Sequence, residues 1–456
     1  MNGVKNEQIQ DQINKLFSSI LVEQQKSMTL KGPDDEKSKI TETILKDYEK
    51  ARGRGFFFNY VSSGKGHGPF TELEDGSVKY DLITSMGVNL LGHSHPLFIK
   101  AALESACTDT IMCGNLLTYK EAHKACRKIV DIVSETTKLR HFWFCGSGSF
   151  ANDSALKMIW QKKQPHYRLL AFEKAFAGRS IATQDITYNS SYREGMPKSV
   201  QVDHVPHFDQ QNPEGAIEKT LKSLNEYWEK NKGEYCALMI ELIQGEGGFV
   251  YGTKEYYEVI FKWAKEKDVY IWVDEVQSFG RTTELFSFQA FELEEYVDIV
   301  TVGKALQCCG VLFSEELNPK PGLIAGTFNG SIISLNAAEK VLTYLTEGNF
   351  YGKDGRISEI EKRFMEGLRH LANSTCKNKI GYIGGIGTMI SFEVGDSSKE
   401  VTMNFLKELF KKGIIAFSAG HGPFRVRFLI PLTITDQHID EIMKILEETI
   451  VDTIEA

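Results

Sequence analysis

Two residues of this chain have the types and the setting to act together on a carbonyl. Asp274 ends the apolar run Val269-Tyr270-Ile271-Trp272-Val273, and Lys304 follows a second run, Val297-Asp298-Ile299-Val300-Thr301-Val302. Both runs have the length and composition of strands, so an acid and an amine stand at successive strand ends. If the strands lie parallel in one open sheet, their carboxyl edges face one crevice, where such sheets bind ligands. An amine there can form a Schiff base with an aldehyde, and a carboxylate opposite can keep a ring nitrogen protonated. This is the least equipment that pyridoxal phosphate requires. On these two residues alone, a pair of solvated charges beyond two strands is the better reading; the neighbours change the balance.

Gly146-Ser147-Gly148-Ser149-Phe150-Ala151 follows the apolar run Phe142-Trp143-Phe144-Cys145 and opens a helix with Ala151, Ala155, Met158 and Ile159 on its inner face. A helix start collects free N–H groups and the positive end of the dipole, and glycines let a phosphate come close. The same segment fits the loose dinucleotide fingerprint GxGxxA, with Glu173 as a ribose partner, so an NAD(P)-dependent oxidoreductase competes. A plain glycine turn with a serine cap is also common. In Asp274-Glu275-Val276-Gln277, a buried carboxylate beside a cationic ring stays ionised and keeps the ring an electron sink. Gln277 can bond a ring hydroxyl, Val276 can pack on one ring face, and Phe176 can stack on the other. A single Phe is more simply core.

These groups need a scaffold of alternating strands and helices. From about His93 to Glu339, strand-length apolar runs alternate with helical periodicity, the signature of an α/β sheet. One unit is clear: Cys236–Ile240 is a strand, Thr253 caps a helix with Tyr256, Ile260 and Trp263 on one face, and 269–273 is the next strand, a right-handed parallel crossover. Before it, residues 1 to about 52 read as a helical arm packed on the surface, with a charged break at 32–37. The Gly-rich turns between Phe56 and Leu90 suggest hairpins. After Gly355 a long amphipathic helix leads to three short strand-like pieces, 381–387, 389–392 and 425–431, an α+β pattern. The expected division is 1–90 as arm and part of a small domain, 91–340 as a large cofactor-binding domain, and 341–456 as the C-terminal small domain.

With 456 residues, 42% hydrophobic and 25% charged, the chain has ample material for a buried core. Its net charge of −8 offers nothing to a phosphate backbone, so nucleic acid is not an expected partner. No apolar run approaches a membrane span, and the polar N-terminus lacks the apolar segment of a signal peptide. Eight cysteines without a CxxC pair suggest neither a disulfide framework nor a zinc site, and a reducing cytoplasm is the expected setting. His93 and His95 have no third ligand in view, so a turn beside Pro96 is the simpler reading and no metal is expected.

Taken together the motifs resemble one family, the class III pyridoxal phosphate-dependent aminotransferases, the group of the ornithine, acetylornithine, lysine and 4-aminobutyrate enzymes. The likeness runs through most of the chain. It is carried by Gly92-His93-Ser94-His95-Pro96, Ser147-Gly148-Ser149 with Ala151-Asn152, and Phe176-Ala177-Gly178-Arg179-Ser180. It continues in 241–248, Asp274-Glu275-Val276-Gln277 with Phe279-Gly280-Arg281, Thr301-Val302-Gly303-Lys304, Gly326-Thr327-Phe328, and Arg427 ahead of Pro431-Leu432. The resemblance implies an aspartate aminotransferase-like α/β fold (type I), a mainly parallel central sheet flanked by helices plus a smaller α+β domain built from both chain ends. It implies that Lys304 holds the cofactor and moves the proton, and that Asp274 pairs the ring nitrogen. Ser147, Gly148 and Ser149 would bind phosphate, completed by Thr327 from a second subunit, so a homodimer is implied. Gln277 would bond the ring oxygen, Phe176 and Val276 would sandwich the ring, and Glu241 would support its polar side.

By the same resemblance Arg179 and Arg427 are the two carboxylate-binding arginines. Guanidinium forks at both ends of a slot suit a dicarboxylate such as 2-oxoglutarate or glutamate. Glu246 resembles a gating glutamate that neutralises Arg427 while an ω-amino donor reacts, and swings aside for 2-oxoglutarate. The implied activity is transfer of a distal amino group from a lysine-, ornithine-, acetylornithine- or 4-aminobutyrate-type donor to 2-oxoglutarate. An aminomutase or racemase would keep Lys304 and Asp274 without needing two arginines. The chain departs from the family at Phe150, Asp153 and Ala177, and Cys308-Cys309 replaces a small glycine-rich stretch, so altered pocket walls are expected near Lys304.

Overall fold

The computed structural model describes residues 7–24, 28–56, 58–109, 112–114 and 117–455. Its centre is a seven-stranded sheet in the order Leu139–Cys145, Cys309–Ser314, Ile299–Val302, Tyr270–Glu275, Tyr235–Ile240, Arg168–Phe172, Val202–Val205. Tyr235–Ile240 and Tyr270–Glu275 are buried along their whole length, as their unbroken apolar runs require of strands covered on both faces. Neighbours from Ile299–Val302 to Val202–Val205 pair in parallel. Cys309–Ser314 runs against both of its partners.

The unit read most directly from the sequence is present. Helix Lys254–Glu266 starts at Thr253, whose hydroxyl accepts from Tyr256 N at 3.2 Å. It buries Tyr256, Ile260 and Trp263 and joins two adjacent parallel strands. Helix Gly148–Lys163 begins directly after Leu139–Cys145, capped by Ser147 Oγ, which accepts from Phe150 N at 3.2 Å. Its Ala151, Ala155, Met158 and Ile159 are fully buried.

Two smaller sheets flank this centre. Ser62–His67, Phe70–Leu73 and Val78–Asp81 form an antiparallel meander, and Ile414–Ile415 joins its edge in parallel, with Ile414 opposite Tyr80. The other carries Ile380–Ile386, Met389–Val394, Arg425–Leu429 and Phe417–Ala419, all antiparallel. The arm forms helices Glu7–Gln24 and Asp35–Arg52. The second starts within the charged break, where Asp34 Oδ1 accepts from the N–H groups of Glu36 and Lys37. Among the described residues no helix is long and apolar enough to cross a membrane.

Candidate active site

Asp274 lies opposite Thr301 in the parallel pair, so Lys304 leaves the neighbouring strand just beyond it. Both side chains line a cavity of about 730 Å³ at the carboxyl edge of the sheet. Ser147, Gly148, Ser149, Phe176, Arg179, Glu241, Glu246, Val276 and Gln277 line it as well. Arg427 stands behind Glu246, fully buried. Glu173, the candidate ribose partner, does not line the cavity, and Thr327 stands apart: the residue is exposed, and its carbonyl faces Gly114 rather than the cavity.

The floor of the cavity is a set of buried acids and one amine. Asp274 Oδ2 accepts from Asn152 Nδ2 at 2.7 Å, and Oδ1 accepts from Val276 N at 2.8 Å. Burial pushes its carboxyl up to about 6, against these hydrogen bonds and the nearby Lys304 charge. Burial, with Arg427 close by, pushes Lys304 down to about 8, which makes a neutral, nucleophilic amine accessible near physiological pH. Glu241 has no ion-pair partner among the described residues. Its two oxygens accept from Phe176 N at 2.8 Å and Gly245 N at 3.0 Å. Burial first, then the Asp274 charge, raises it to about 8. Glu241 therefore ties the segment carrying Phe176 to the strand end.

Behind Glu246, Arg427 lies on strand Arg425–Leu429. Its Nη2 donates to Glu246 Oε1 at 2.8 Å and its Nη1 to Gly245 O at 3.1 Å. Arg179 is exposed, with no carboxylate in salt-bridge range among the described residues; its guanidinium carbon sits 3.5 Å from the centre of the Tyr192 ring.

The residues fit pyridoxal phosphate on three counts. Among the described residues nothing accepts the N–H groups of Gly148 and Ser149 at the helix start. A Cβ on Gly148 would lie 2.9 Å from Val276 Cγ1 and one on Gly178 2.2 Å from Ser149 Oγ, so only glycines let the phosphate cradle close. Gln277 Oε1 is buried without a hydrogen-bond partner, an acceptor left for a ring hydroxyl. Asp274 is fixed by two donors with its carboxyl raised to about 6, where a cationic ring nitrogen beside it would favour the ionised form further.

Several lining residues carried no role in the sequence reading. Asn152 aligns Asp274 and also donates to Ala177 O at 2.7 Å; a buried amide beside an apolar helix face was the available signal. Met86 lines the cavity from a run of three left-handed residues, Thr84, Ser85 and Met86 (φ 48, 53 and 61). Such backbone costs on the order of 1–3 kcal/mol per residue. Asp81 holds it by accepting from Ile83 N and Thr84 N, and buried Arg281 by donating to Gly87 O. His93 bonds Asp81 at 2.8 Å and His95 caps the helix Pro96–Ala106. The departures lie mostly off the cavity. Phe150 is exposed, Asp153 accepts from Ser180 Oγ at 2.7 Å, and the Cys309 sulfur packs behind Gly303 instead of forming a wall.

The comparisons with known proteins agree with this geometry. The family model for class-III aminotransferases matches residues 51–450. An acetylornithine aminotransferase from Caldanaerobacter subterraneus subsp. tengcongensis is 29% identical over 403 residues, 85% of this chain and 93% of that protein. One from Methanocaldococcus jannaschii is 28% identical over 387 residues, 82% and 89% respectively. Among solved structures, a lysine aminotransferase from M. tuberculosis superposes with a TM-score of 0.78 at 20% identity, over 89% of this chain and 98% of that one. The ornithine aminotransferase of Toxoplasma gondii ME49 does so with 0.77 at 21%, over 90% and 95%. The fold is that of the type I pyridoxal phosphate transaminases. The chain belongs to the class-III aminotransferases and is a pyridoxal phosphate-dependent enzyme of that family, which decides against the nicotinamide alternative at Gly146–Ala151.

Proposed function

We propose that this aminotransferase moves the distal amino group of an ω-amino donor, of the lysine, ornithine, acetylornithine or 4-aminobutyrate type, to 2-oxoglutarate, giving an aldehyde and glutamate. The observation that carries this reading is the asymmetry of the two arginines. Arg427 is buried and neutralised by Glu246 at 2.8 Å, whereas Arg179 is open. In this state Arg179 is the guanidinium lining the pocket that has no carboxylate partner among the described residues. Such a pocket suits a substrate whose single carboxylate lies far from the reacting amine, because a second carboxylate would meet Glu246. For 2-oxoglutarate, Glu246 turns away and Arg427 takes its place as the second fork. The acetylornithine aminotransferases among the relatives support a donor of this kind.

Pyridoxal phosphate, when bound, supplies the electron sink and carries the amino group between the two substrates. Ser147, Gly148 and Ser149 would hold its phosphate, Asp274 its ring nitrogen and Gln277 its ring oxygen, with Phe176 and Val276 on the ring faces. Lys304 Nζ takes the proton from the substrate carbon that bears the amine and returns it on the far side of the exchange. Asp274, aligned by Asn152, keeps its negative charge in place. Glu241, its carboxyl raised to about 8 by burial, fixes Phe176 by accepting from its backbone N–H.

Thr327 would complete the phosphate site of a second copy, making the working unit a homodimer. Its exposure supports this, as do the exposed apolar side chains Phe150, Ile181 and Phe328. Residues 91–340 would then be the cofactor-binding domain, with 1–90 and 341–456 around its mouth. The seven cysteines whose side chains are described are all unpaired, which supports a cytoplasmic setting.

The test is a donor screen of lysine, ornithine, acetylornithine and 4-aminobutyrate against 2-oxoglutarate, with Lys304→Ala as control. Multiple turnover should require 2-oxoglutarate and vanish in Lys304→Ala, along with the borohydride-reducible absorbance. Turnover without any keto acid would instead mark an aminomutase or racemase.

A further inference from the structure

The segment that carries Phe176 and Arg179 is bolted to the stretch that follows it. Thr187 Oγ1 accepts from Ala177 N at 2.9 Å and donates to Gly178 O at 3.1 Å, and Tyr188 N donates to Ala175 O at 2.9 Å. Beyond this anchor lies a single 3₁₀ turn, Ser190–Arg193. Asn189 Oδ1 caps it by accepting from Ser191 N at 3.1 Å, and Arg193 Nη1 ties its end back to Thr187 O at 2.9 Å. The turn places Tyr192, half-buried, in the cavity wall. Its ring covers the face of the Arg179 guanidinium at 3.5 Å and stands perpendicular to Phe176, with centroids 6.3 Å apart.

A guanidinium donates from its edge, in its own plane, and is attracted to an aromatic ring through its face. The two interactions therefore do not compete. An arginine whose face is already pinned has less rotamer freedom to lose when a carboxylate arrives, which is preorganisation in its plainest form. We propose that Tyr192 is a positioning residue for the substrate carboxylate: it holds Arg179 so that its N–H edge points into the pocket at a fixed distance from Phe176. The ligand class is an aliphatic chain ending in one carboxylate. The inference rests on the reading of Arg179 as the carboxylate end of the pocket.

The experiment titrates pentanoate, a carboxylate chain without an amine, into holoenzyme and reads Kd by calorimetry. Tyr192→Leu is expected to raise Kd about fivefold, the usual scale of one cation–π contact, and Tyr192→Phe, which keeps the ring, to restore it. In an Arg179→Ala background Tyr192→Leu should add nothing, because the partner through which it acts is gone. If Arg179→Ala weakens pentanoate and Tyr192→Leu does not, or if the two losses simply add, the role of Tyr192 is overturned while the proposed function stands. If Arg179→Ala itself leaves Kd unchanged, both fall.

Discussion

The two guanidinium groups beside the pocket, one lining it and one behind its wall, are held by opposite means. Arg427 lies within a strand at 0% exposure and carries its counter-charge with it, Glu246 at 2.8 Å. Arg179 lies just past Gly178, whose left-handed φ of 125° turns the chain outward, and meets a neutral ring instead of an acid. The difference follows from solvation. A cation cut off from water is costly without a partner, whereas an exposed one is not. In the proposed function, only the buried end therefore needs a movable carboxylate, and the choice between one and two substrate carboxylates would be switched there.

The contrast predicts unequal losses, largest at the buried end. Arg427→Ala should reduce kcat/KM for 2-oxoglutarate about a hundredfold, since truncating one member of a buried charge pair costs about 2–5 kcal/mol. The donor half-reaction should change less than about tenfold, because its substrate makes no charge-assisted bond to Arg427. Equal losses in the two half-reactions, measured in single turnover, would erase the distinction. Glu246→Ala comes next. It strands Arg427, and with Glu246 itself 22% exposed the expected destabilisation is about 2 kcal/mol, below the full buried-pair value. Donor turnover should fall more than 2-oxoglutarate turnover. An unchanged denaturation midpoint together with unchanged donor kinetics would show that the pair does not gate.

Arg179→Ala should be milder, about 1 kcal/mol or fivefold in donor KM. Its effect should shrink between about 0.01 M and 1 M salt while that of Arg427→Ala persists, because exposed charges are screened and buried ones much less so. A separate prediction, read in stability and not in turnover, concerns a buried acid with no ion-pair partner among the described residues. Glu241 is pushed up to about 8 in the fold and ionises at about 4.3 when unfolded. In cofactor-free protein the neutral carboxyl contributes stability that is complete below the unfolded value and is lost as pH rises through the folded one. The Tm of Glu241→Gln relative to wild type should therefore climb with pH across that interval and level off above it. A difference that stays flat with pH would mean that Glu241 titrates as an ordinary glutamate.

The same division between floor and rim governs what could be read before the structure was known. Asp274 and Lys304 were legible because they punctuate apolar runs, and burial of those runs is a property the sequence displays directly. Arg427 and Glu246 were legible through motifs. The reversed strand Cys309–Ser314 was not, since an apolar run reads the same in either direction. Its course is set by a short connection with Gln307 in a left-handed conformation (φ 66). Met86 and Tyr192 escaped for a related reason. Each owes its place to backbone held by side-chain hydrogen bonds, Met86 by those of Asp81 and Arg281, Tyr192 by those of Thr187 and Arg193. No periodicity records such ties. Asn152 was quoted within a motif, but its bond to Asp274 spans two elements and appears only when the helix is docked.

Ile414–Ile415 completes the edge of the sheet that contains Tyr80 and Asp81, and this imposes an order on biosynthesis. At about 5–20 residues per second, the ribosome delivers that partner strand roughly half a minute after Asp81 has emerged. Val78 is meanwhile paired with Lys31, but until then the Tyr80 end of this edge lacks its outer partner, and a nascent chain that stalls before residue 414 keeps this sticky margin open to any passing strand.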